Sequence, residues 1–375
     1  MIGKLALIDT RPVGRSQVLS GVHSHNPKVY GRLCDEGCDK SAAFIVIHPS
    51  SNFMGHYLLE PMQRRGRAIL GLNTQFVGND TYMSTAAALK DLGAGVRFLR
   101  EQGYRHVCLI GNSGGAALTS WYQAEAEQLT LTRSVDGEPI DLSPADLPPV
   151  DSIALVAPHP GRCLIISKRL DAAMVDEDDL LTTDPELDIF NPDNGPPFSS
   201  AFVEKIRAAQ LARNRRITAW CQARLELFRG TSTIAPITDQ PFIIHRSHAD
   251  PRFLDPALEP SDRKPGTSYG NDVRKSNFAA NSLGRISTVR AWLDQWSYDL
   301  ARTNGPQALA RTTVPVLINY FTADQTTFPS DIQAWQQAAG PRGERIDYPG
   351  VPHYPYQHPE QLERLADRLA DWVAR

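Results

Sequence analysis

Residues 106–121 read HVCLIGNSGGAALTSW, and this stretch is the strongest structural signal in the chain. The run from His106 to Gly111 is mainly apolar and short, which is typical of a buried strand. The glycines that follow, Gly114 and Gly115, permit a tight turn, and the next residues have the composition of a helix. The stretch therefore predicts a strand that turns directly into a helix, with Ser113 at the turn.

The five residues from Gly111 to Gly115 fit the pattern G-x-S-x-G, in which a strand-to-helix turn projects a serine hydroxyl above a sheet. Small residues must flank the serine because larger ones would collide with the turn, and the helix N-terminus offers positive potential to a developing oxyanion. A glycine-rich turn for packing or phosphate binding is the alternative. A dinucleotide fingerprint needs glycine at the serine, however, and a P-loop needs a lysine after the last glycine. The pattern predicts that Ser113 is a nucleophile.

A serine nucleophile needs a base to accept its proton and a third group to orient that base. Asp324 comes soon after the apolar run Val314–Tyr320, and His353 lies beyond the next strand signal. We predict that Asp324 and His353 complete a triad with Ser113. Asp324 as a turn residue or helix N-cap and His353 as an exposed loop histidine are the alternatives, and His358 is a rival base.

The tetrahedral intermediate of such a reaction needs two N–H donors for its oxyanion. The amide of Gly114, directly after the nucleophile, is the first. The second is expected in the loop after the strand Ala42–His48, where Pro49 has no N–H to donate. We predict an oxyanion hole formed by Gly114 together with Ser50, or with Ser51 as the second choice.

Apolar runs alternate with helical patterns on both sides of the serine motif, as expected of an α/β protein with a mostly parallel sheet flanked by helices. The strand signals are Ala42–His48, Arg67–Asn73, His106–Gly111, Ser152–Ala157, Val314–Tyr320 and Arg345–Tyr348. The alternation stops for about 150 residues after the fourth signal. We predict a core domain of residues 1–159 and 312–375, with a mainly helical cap, residues 160–311, inserted before the penultimate strand.

The predicted cap contains a long amphipathic helix, Ala201–Phe228, and several aromatic residues. Aromatic side chains in a lid usually line an apolar pocket, and the alternative is that they form the core of the cap itself. The residues in question are Phe198, Trp220, Phe228, Phe253, Trp292 and Trp296. We expect an enclosed apolar site for a small or medium substrate.

Composition narrows the choice of partner. The 375 residues carry 39 basic and 42 acidic side chains, so no basic field attracts nucleic acid or an anionic membrane, and no apolar run approaches the roughly 18 residues of a bilayer span. Five cysteines and the lack of a signal-like start favour a cytoplasmic protein. Cys34 and Cys38 lack further zinc ligands. We expect a small-molecule substrate, no cofactor and no metal, and leave a homo-oligomer open.

These motifs resemble those of the α/β-hydrolase superfamily, at both ends of the chain outside the predicted cap. The segment HPSS at 48–51 is similar to the His-Gly oxyanion loop of that family, with Pro49 in place of the usual glycine. The segments ADQ at 323–325 and PHYP at 352–355 resemble the acid and histidine loops of bacterial esterases and dienelactone-hydrolase-like proteins. The order serine, acid, histidine agrees with the family, and the resemblance implies a serine esterase.

Three functions fit these residues. The leading hypothesis is hydrolysis of a carboxylic ester, lactone or thioester through an acyl intermediate on Ser113. A carbon–carbon bond hydrolase acting on diketone ring-cleavage products uses the same three groups and is the alternative. A ligand-binding protein without activity usually lacks a triad member, whereas this chain has all three in order. Haloalkane dehalogenases and epoxide hydrolases place a carboxylate where this chain has Ser113.

Overall fold

The computed structural model describes residues 3–10, 27–231, 237–280 and 282–373. An eight-stranded sheet forms its centre. In chain order the strands are β1 (Lys4–Asp9), β2 (Lys28–Cys34), β3 (Ala42–His48), β4 (Ala68–Asn73), β5 (His106–Asn112), β6 (Ser152–Val156), β7 (Val316–Phe321) and β8 (Gly343–Tyr348).

The strand order across the sheet is β1-β2-β4-β3-β5-β6-β7-β8. β2 is antiparallel to both of its neighbours, and the other neighbouring pairs are parallel. The loops that follow β3, β4, β5, β6, β7 and β8 therefore all open at the same edge of the sheet. In open α/β sheets this carboxyl edge is where ligands bind.

Helices cover both faces of the sheet and make up part of the insertion. They are α1 (Leu59–Arg64), α2 (Thr85–Glu101), α3 (Gly115–Glu127), α4 (Arg162–Arg169), α5 (Ser200–Arg229), α6 (Val273–Phe278), α7 (Val289–Ala291), α8 (Gly305–Leu309), α9 (Pro329–Ala339) and α10 (Pro359–Trp372). Among the described residues, no helix combines the length and the apolar composition that crossing a bilayer requires.

The core lies on both sides of the central strands. Ala43, Ile45 and Ile47 of β3 pack on one face together with residues of α2 and α3. Phe44 and Val46, which alternate with them, pack on the other face against α1 and α10. Because both faces are covered, β3 to β6 contain hardly any exposed position, and this is why their sequences read as continuous apolar runs.

All six predicted strands are present, with ends that differ by at most two residues from the predicted ones. Sequence analysis nevertheless missed β1 and β2, which precede the first predicted strand. Leu5 and Leu7 of β1 are 59% and 55% exposed, because β1 is an edge strand with only one covered face. A short run with so few buried side chains carries little periodic signal.

Residues 160–311, the predicted insertion, lie between β6 and β7. Its longest element is α5, and two short antiparallel pairs join Pro241–Ile243 to Ile286–Thr288 and Thr267–Ser268 to Asn271–Asp272. Irregular segments connect these elements, so the insertion is less regular than the predicted helical cap.

The insertion contacts loops at the carboxyl edge of the sheet. Arg162 donates to Ser50 Oγ at 3.0 Å in the loop after β3, and Arg169 donates to the Thr326 carbonyl oxygen at 3.1 Å in the loop after β7. The Glu259 carboxylate accepts from the amide of Ser330, the second residue of α9, at 2.9 Å. Through these contacts, residues 160–311 lie against the edge of the sheet that carries the predicted triad residues. The role of residues 160–311 as a cap stays a prediction.

Most of the aromatic residues of the insertion belong to the core of the insertion itself, which is the alternative to a pocket lining. Phe228, Trp292 and Trp296 are buried together in a cluster formed mainly by the insertion itself. Phe198 and Phe253 lie in two smaller clusters, and Trp220 is 41% exposed. These rings thus stabilise the insertion, and the prediction that they shape an apolar pocket gains no support from their packing.

Candidate active site

Ser113 stands at the turn between β5 and α3 with a backbone φ of 55°. This left-handed conformation is strained for a residue with a side chain and is concentrated at functional sites. Three backbone hydrogen bonds hold it. Ser113 N–H donates to the Val156 carbonyl at 2.9 Å, and the Ser113 carbonyl accepts from the amides of Ala116 and His159, both at 3.1 Å. The turn therefore has the geometry that the sequence motif predicts.

The glycines on both sides of Ser113 are required by close backbone approach. A β-carbon on Gly111 would lie 2.6 Å from Ala116 Cα, and one on Gly115 would lie 2.0 Å from the Ile47 carbonyl oxygen. Contacts this short do not occur between real atoms, so neither position accepts a side chain without a shift of the backbone. The close packing of α3 against β3 and β5 thus requires glycine at the first and last positions of the motif.

A buried histidine holds the side chain of Asn112, the residue before Ser113. His56 Nε2 lies 3.1 Å from Asn112 Oδ1, and Asn112 Nδ2 donates to the Val156 carbonyl at 2.9 Å. His56 Nδ1 accepts from the Leu58 amide, so Nε2 carries the proton and donates to Asn112. Burial lowers the pKa of His56 to about 4 against the opposing effect of the Asn112 bond, and the ring stays neutral.

Ser113, His353 and Asp324 form one chain of hydrogen bonds. His353 Nε2 lies 3.1 Å from Ser113 Oγ, and His353 Nδ1 lies 2.6 Å from Asp324 Oδ2. A carboxylate only accepts, so Nδ1 carries the proton and Nε2 presents a lone pair to the serine hydroxyl. The side chains are buried, with Ser113 9%, His353 1% and Asp324 1% exposed. The tertiary structure brings the three predicted triad residues together.

The second oxygen of Asp324 is held by the loop that follows it. Asp324 Oδ1 accepts from the Thr326 amide at 2.7 Å, the Thr326 hydroxyl at 2.8 Å and the Thr327 amide at 3.2 Å. Burial raises the pKa of Asp324, but the His353 ring and these hydrogen bonds outweigh it and bring the pKa below the ordinary value. The carboxylate is therefore ionised and fixed in orientation.

A second histidine faces the serine hydroxyl. His159 Nδ1 lies 3.5 Å from Ser113 Oγ, and the His159 and His353 rings stack with centroids 5.2 Å apart. The Thr326 hydroxyl donates to Asp324, so His159 Nε2, 3.0 Å away, must donate to Thr326 Oγ1. Its Nδ1 is then a bare acceptor. Burial, followed by His353 and Arg169, places the pKa of His159 well below the ordinary value.

One aromatic ring of the insertion packs against His353. Tyr269 meets His353 edge to face, with ring centroids 5.2 Å apart. The Tyr269 hydroxyl accepts a hydrogen bond of 3.0 Å from Arg169, which stands at the end of α4. His353 is thus packed between His159 of the core and Tyr269 of the insertion.

The predicted oxyanion donors have different surroundings. Gly114 is the N-cap of α3, where amides have no acceptor within the helix. The amides of Ser50 and Ser51 instead donate to His48 Nδ1 at 3.1 and 2.9 Å. In this arrangement both serine amides already have an acceptor, and the assignment of Gly114, Ser50 or Ser51 as oxyanion donors stays a prediction.

The topology and the elbow together identify the fold. A serine on a strained turn after β5, with an acid and a histidine in the loops after β7 and β8 of a mostly parallel sheet, is the arrangement of the α/β-hydrolase fold. The chain has the α/β-hydrolase fold.

The chain is similar to several solved structures at low sequence identity. The structure titled DcsB complex with its substrate analogue shares 13% identity over 99% of both chains, with a TM-score of 0.52. The monoacylglycerol lipase of Paleococcus ferrophilus shares 12% identity over 92% of this chain and 98% of its own, with a TM-score of 0.45. Est1E from Butyrivibrio proteoclasticus shares 12% identity over 100% of both chains, with a TM-score of 0.47. No family model and no curated protein matches the sequence.

Several residues that surround the predicted triad carry a weaker sequence signal or none. His159 follows β6 directly, so its place at the carboxyl edge was a usable signal. His48 ends β3 and Thr326 lies in the loop after β7, so both offered the same signal. Tyr269 had none, because only the folded chain brings it to His353. Within the described ranges, no cluster of three or more histidine, cysteine or acidic side chains is arranged to hold a metal ion.

Proposed function

We propose that this protein is a serine hydrolase that cleaves a carboxylic ester, lactone or thioester through an acyl intermediate on Ser113. The observation that carries the proposal is the hydrogen-bond chain from Ser113 Oγ to His353 Nε2 at 3.1 Å and from His353 Nδ1 to Asp324 Oδ2 at 2.6 Å. An acceptor nitrogen at the hydroxyl and an ionised carboxylate behind it are what nucleophilic catalysis by serine requires.

In the first half of the proposed reaction, Ser113 Oγ attacks the carbonyl carbon. The serine proton moves to His353 Nε2, and the electron pair of the carbonyl bond moves onto the oxygen, where the Gly114 amide donates to it. Asp324 stabilises the imidazolium that forms. The intermediate then collapses, the bond to the leaving alcohol or thiol breaks, and His353 gives its proton to that group.

In the second half, water replaces the alcohol. His353 takes a proton from the water as the water oxygen attacks the acyl carbon. The second tetrahedral intermediate then collapses to the carboxylic acid, and His353 returns the proton to Ser113. His159 stays neutral in both steps because its pKa is held low, so it adds no positive charge beside the imidazolium of His353.

The proposed substrate is small or medium in size. Ser113 and His353 are buried beneath residues 160–311, with Tyr269 of the insertion directly against the His353 ring. A polymer chain needs an open groove, whereas a site under an insertion suits a compact molecule that is enclosed on binding.

A fluorophosphonate probe tests the proposal. We expect one phosphonyl group per chain, located on Ser113 by peptide mass spectrometry, because the probe reacts with a serine whose proton is accepted by a base. A panel of esters, thioesters and lactones graded by acyl length should include substrates that are turned over, and a diketone substrate provides the comparison. Labelling of another residue, or turnover of the diketone alone, would contradict the ester hydrolase.

The pH dependence of kcat/KM should show one ascending limb that involves a single proton. The base must be neutral to accept the serine proton. Burial lowers the pKa of His48 to about 3, the pKa of His159 lies well below its ordinary value, and Asp324 is ionised. These three groups therefore keep their working charge in the neutral range and add nothing to the ascending limb. Steady-state assays from about pH 5 to 9 measure it, and a flat profile would exclude a histidine base.

A further inference from the structure

His48 is the last residue of β3, and its side chain is fixed at one ring nitrogen. The amides of Ser50 and Ser51 both donate to His48 Nδ1, at 3.1 and 2.9 Å. A nitrogen that accepts two N–H groups carries no proton of its own. The proton of the neutral ring is therefore on Nε2, and the loop sets the tautomer.

The Nε2 of His48 lies beside the residue that follows the nucleophile. It stands 3.0 Å from the position that a β-carbon on Gly114 would occupy. Among the described residues, this nitrogen has no hydrogen-bond partner, whereas Nδ1 has two. The ring is partly exposed. A donor without an acceptor thus lies against Gly114, the residue whose amide is the first predicted donor.

We propose that His48 is a catalytic residue whose Nε2–H donates the second hydrogen bond to the oxyanion, next to the amide of Gly114. The inference rests on the proposed function, since it concerns the oxyanion of the same acyl transfer. It replaces the backbone donor predicted in Ser50 or Ser51, whose amides instead hold the His48 ring. The donated proton stays on Nε2 throughout, so no proton transfer is added to the reaction.

The charge state of His48 agrees with this role. Burial lowers its pKa to about 3, with further lowering by Arg162, His353 and His56. A neutral donor keeps its tautomer across the working range, and it adds no positive charge that would oppose formation of the His353 imidazolium. Preorganised donors of this kind need no reorganisation when the oxyanion forms.

Two substitutions separate catalysis from loop structure at this position. His48→Asn places Oδ1 where Nδ1 stands, so it still accepts from Ser50 and Ser51, but it has no donor that reaches the position of Nε2. His48→Gln places its amide nitrogen near the position of Nε2 and loses the acceptor for the loop. We expect H48N to lower kcat by about 10²- to 10³-fold with KM nearly unchanged, and H48Q to recover part of that loss.

Affinity for a trifluoromethyl ketone, which adds to Ser113 and forms an oxyanion, gives a second measurement. We expect H48N to weaken binding of the ketone by the same factor by which it lowers kcat/KM. Binding of the corresponding amide should be unchanged. His106→Asn is the control, because His106 bonds Ser152 at 2.8 Å at the opposite end of the sheet and its loss should leave kcat unchanged. Thermal unfolding establishes that each variant is folded.

The outcomes are distinct. H48N with full kcat, or H48Q more damaged than H48N, would assign His48 a structural role and overturn the inference. If Ser113 is not labelled in the wild-type protein, the proposed function itself fails, independently of any His48 variant. If H48N does not fold, the ketone affinity and kcat of H48Q decide, because loss of ketone affinity in a variant that keeps a donor near Nε2 would overturn the inference.

Discussion

Ser113→Ala should abolish turnover, with kcat lowered by about 10³-fold or more, while the protein stays folded. The substitution removes only the nucleophilic oxygen. Alanine has a β-carbon like serine, so the strain of a φ of 55° is unchanged, and the backbone bonds to Val156 and Ala116 remain. Steady-state kinetics on the best ester of the panel, together with thermal unfolding, measure both expectations.

Two further serine variants sharpen this test. Ser113→Gly should be equally inactive but unfold at a higher temperature than Ser113→Ala, because glycine adopts a positive φ without a steric cost. Ser152→Ala is the matched control, since Ser152 is buried at the start of β6, away from the carboxyl edge, and should leave kcat unchanged. Substantial turnover by a folded Ser113→Ala protein would exclude Ser113 as the nucleophile.

Asp324→Asn should be nearly as damaging as loss of the serine. The two loop amides and the Thr326 hydroxyl all donate to Oδ1, so the asparagine oxygen takes that place and its NH₂ group turns toward His353. The amide then donates to His353 Nδ1, and the ring proton shifts to Nε2, where it faces Ser113 without a lone pair. The same change in serine proteases lowers kcat by about 10⁴.

The loss should appear mainly in kcat, because the substitution alters the tautomer of the base and leaves the substrate-binding surface in place. Asp331→Asn is a control in the same region, since Asp331 caps α9 by accepting from the Phe328 amide at 3.0 Å. We expect it to lower stability with little change in kcat. An Asp324→Asn protein with wild-type kcat would show that another group orients His353.

The local signals of the chain predicted much of this α/β-hydrolase fold. The strand, turn and helix around Ser113 are contiguous in sequence, so the close backbone contacts of the turn can be inferred from the positions of the glycines. Asp324 and His353 come directly after strands, and parallel strands bring such loops to one edge regardless of how far apart they are in the chain. This is why three distant residues could be assigned to one site, although their catalytic roles remain a proposal.

Other features depended on tertiary contacts that no local pattern encodes. β1 escaped prediction because an edge strand buries few side chains. The acceptor of the serine amides after β3, His48 Nδ1, is defined only by the folded loop. Tyr269 reaches His353 from the insertion, far away in sequence. Sequence alone thus determined the elbow and the order of the triad, whereas side-chain orientation and long-range packing decided which donors and rings surround it.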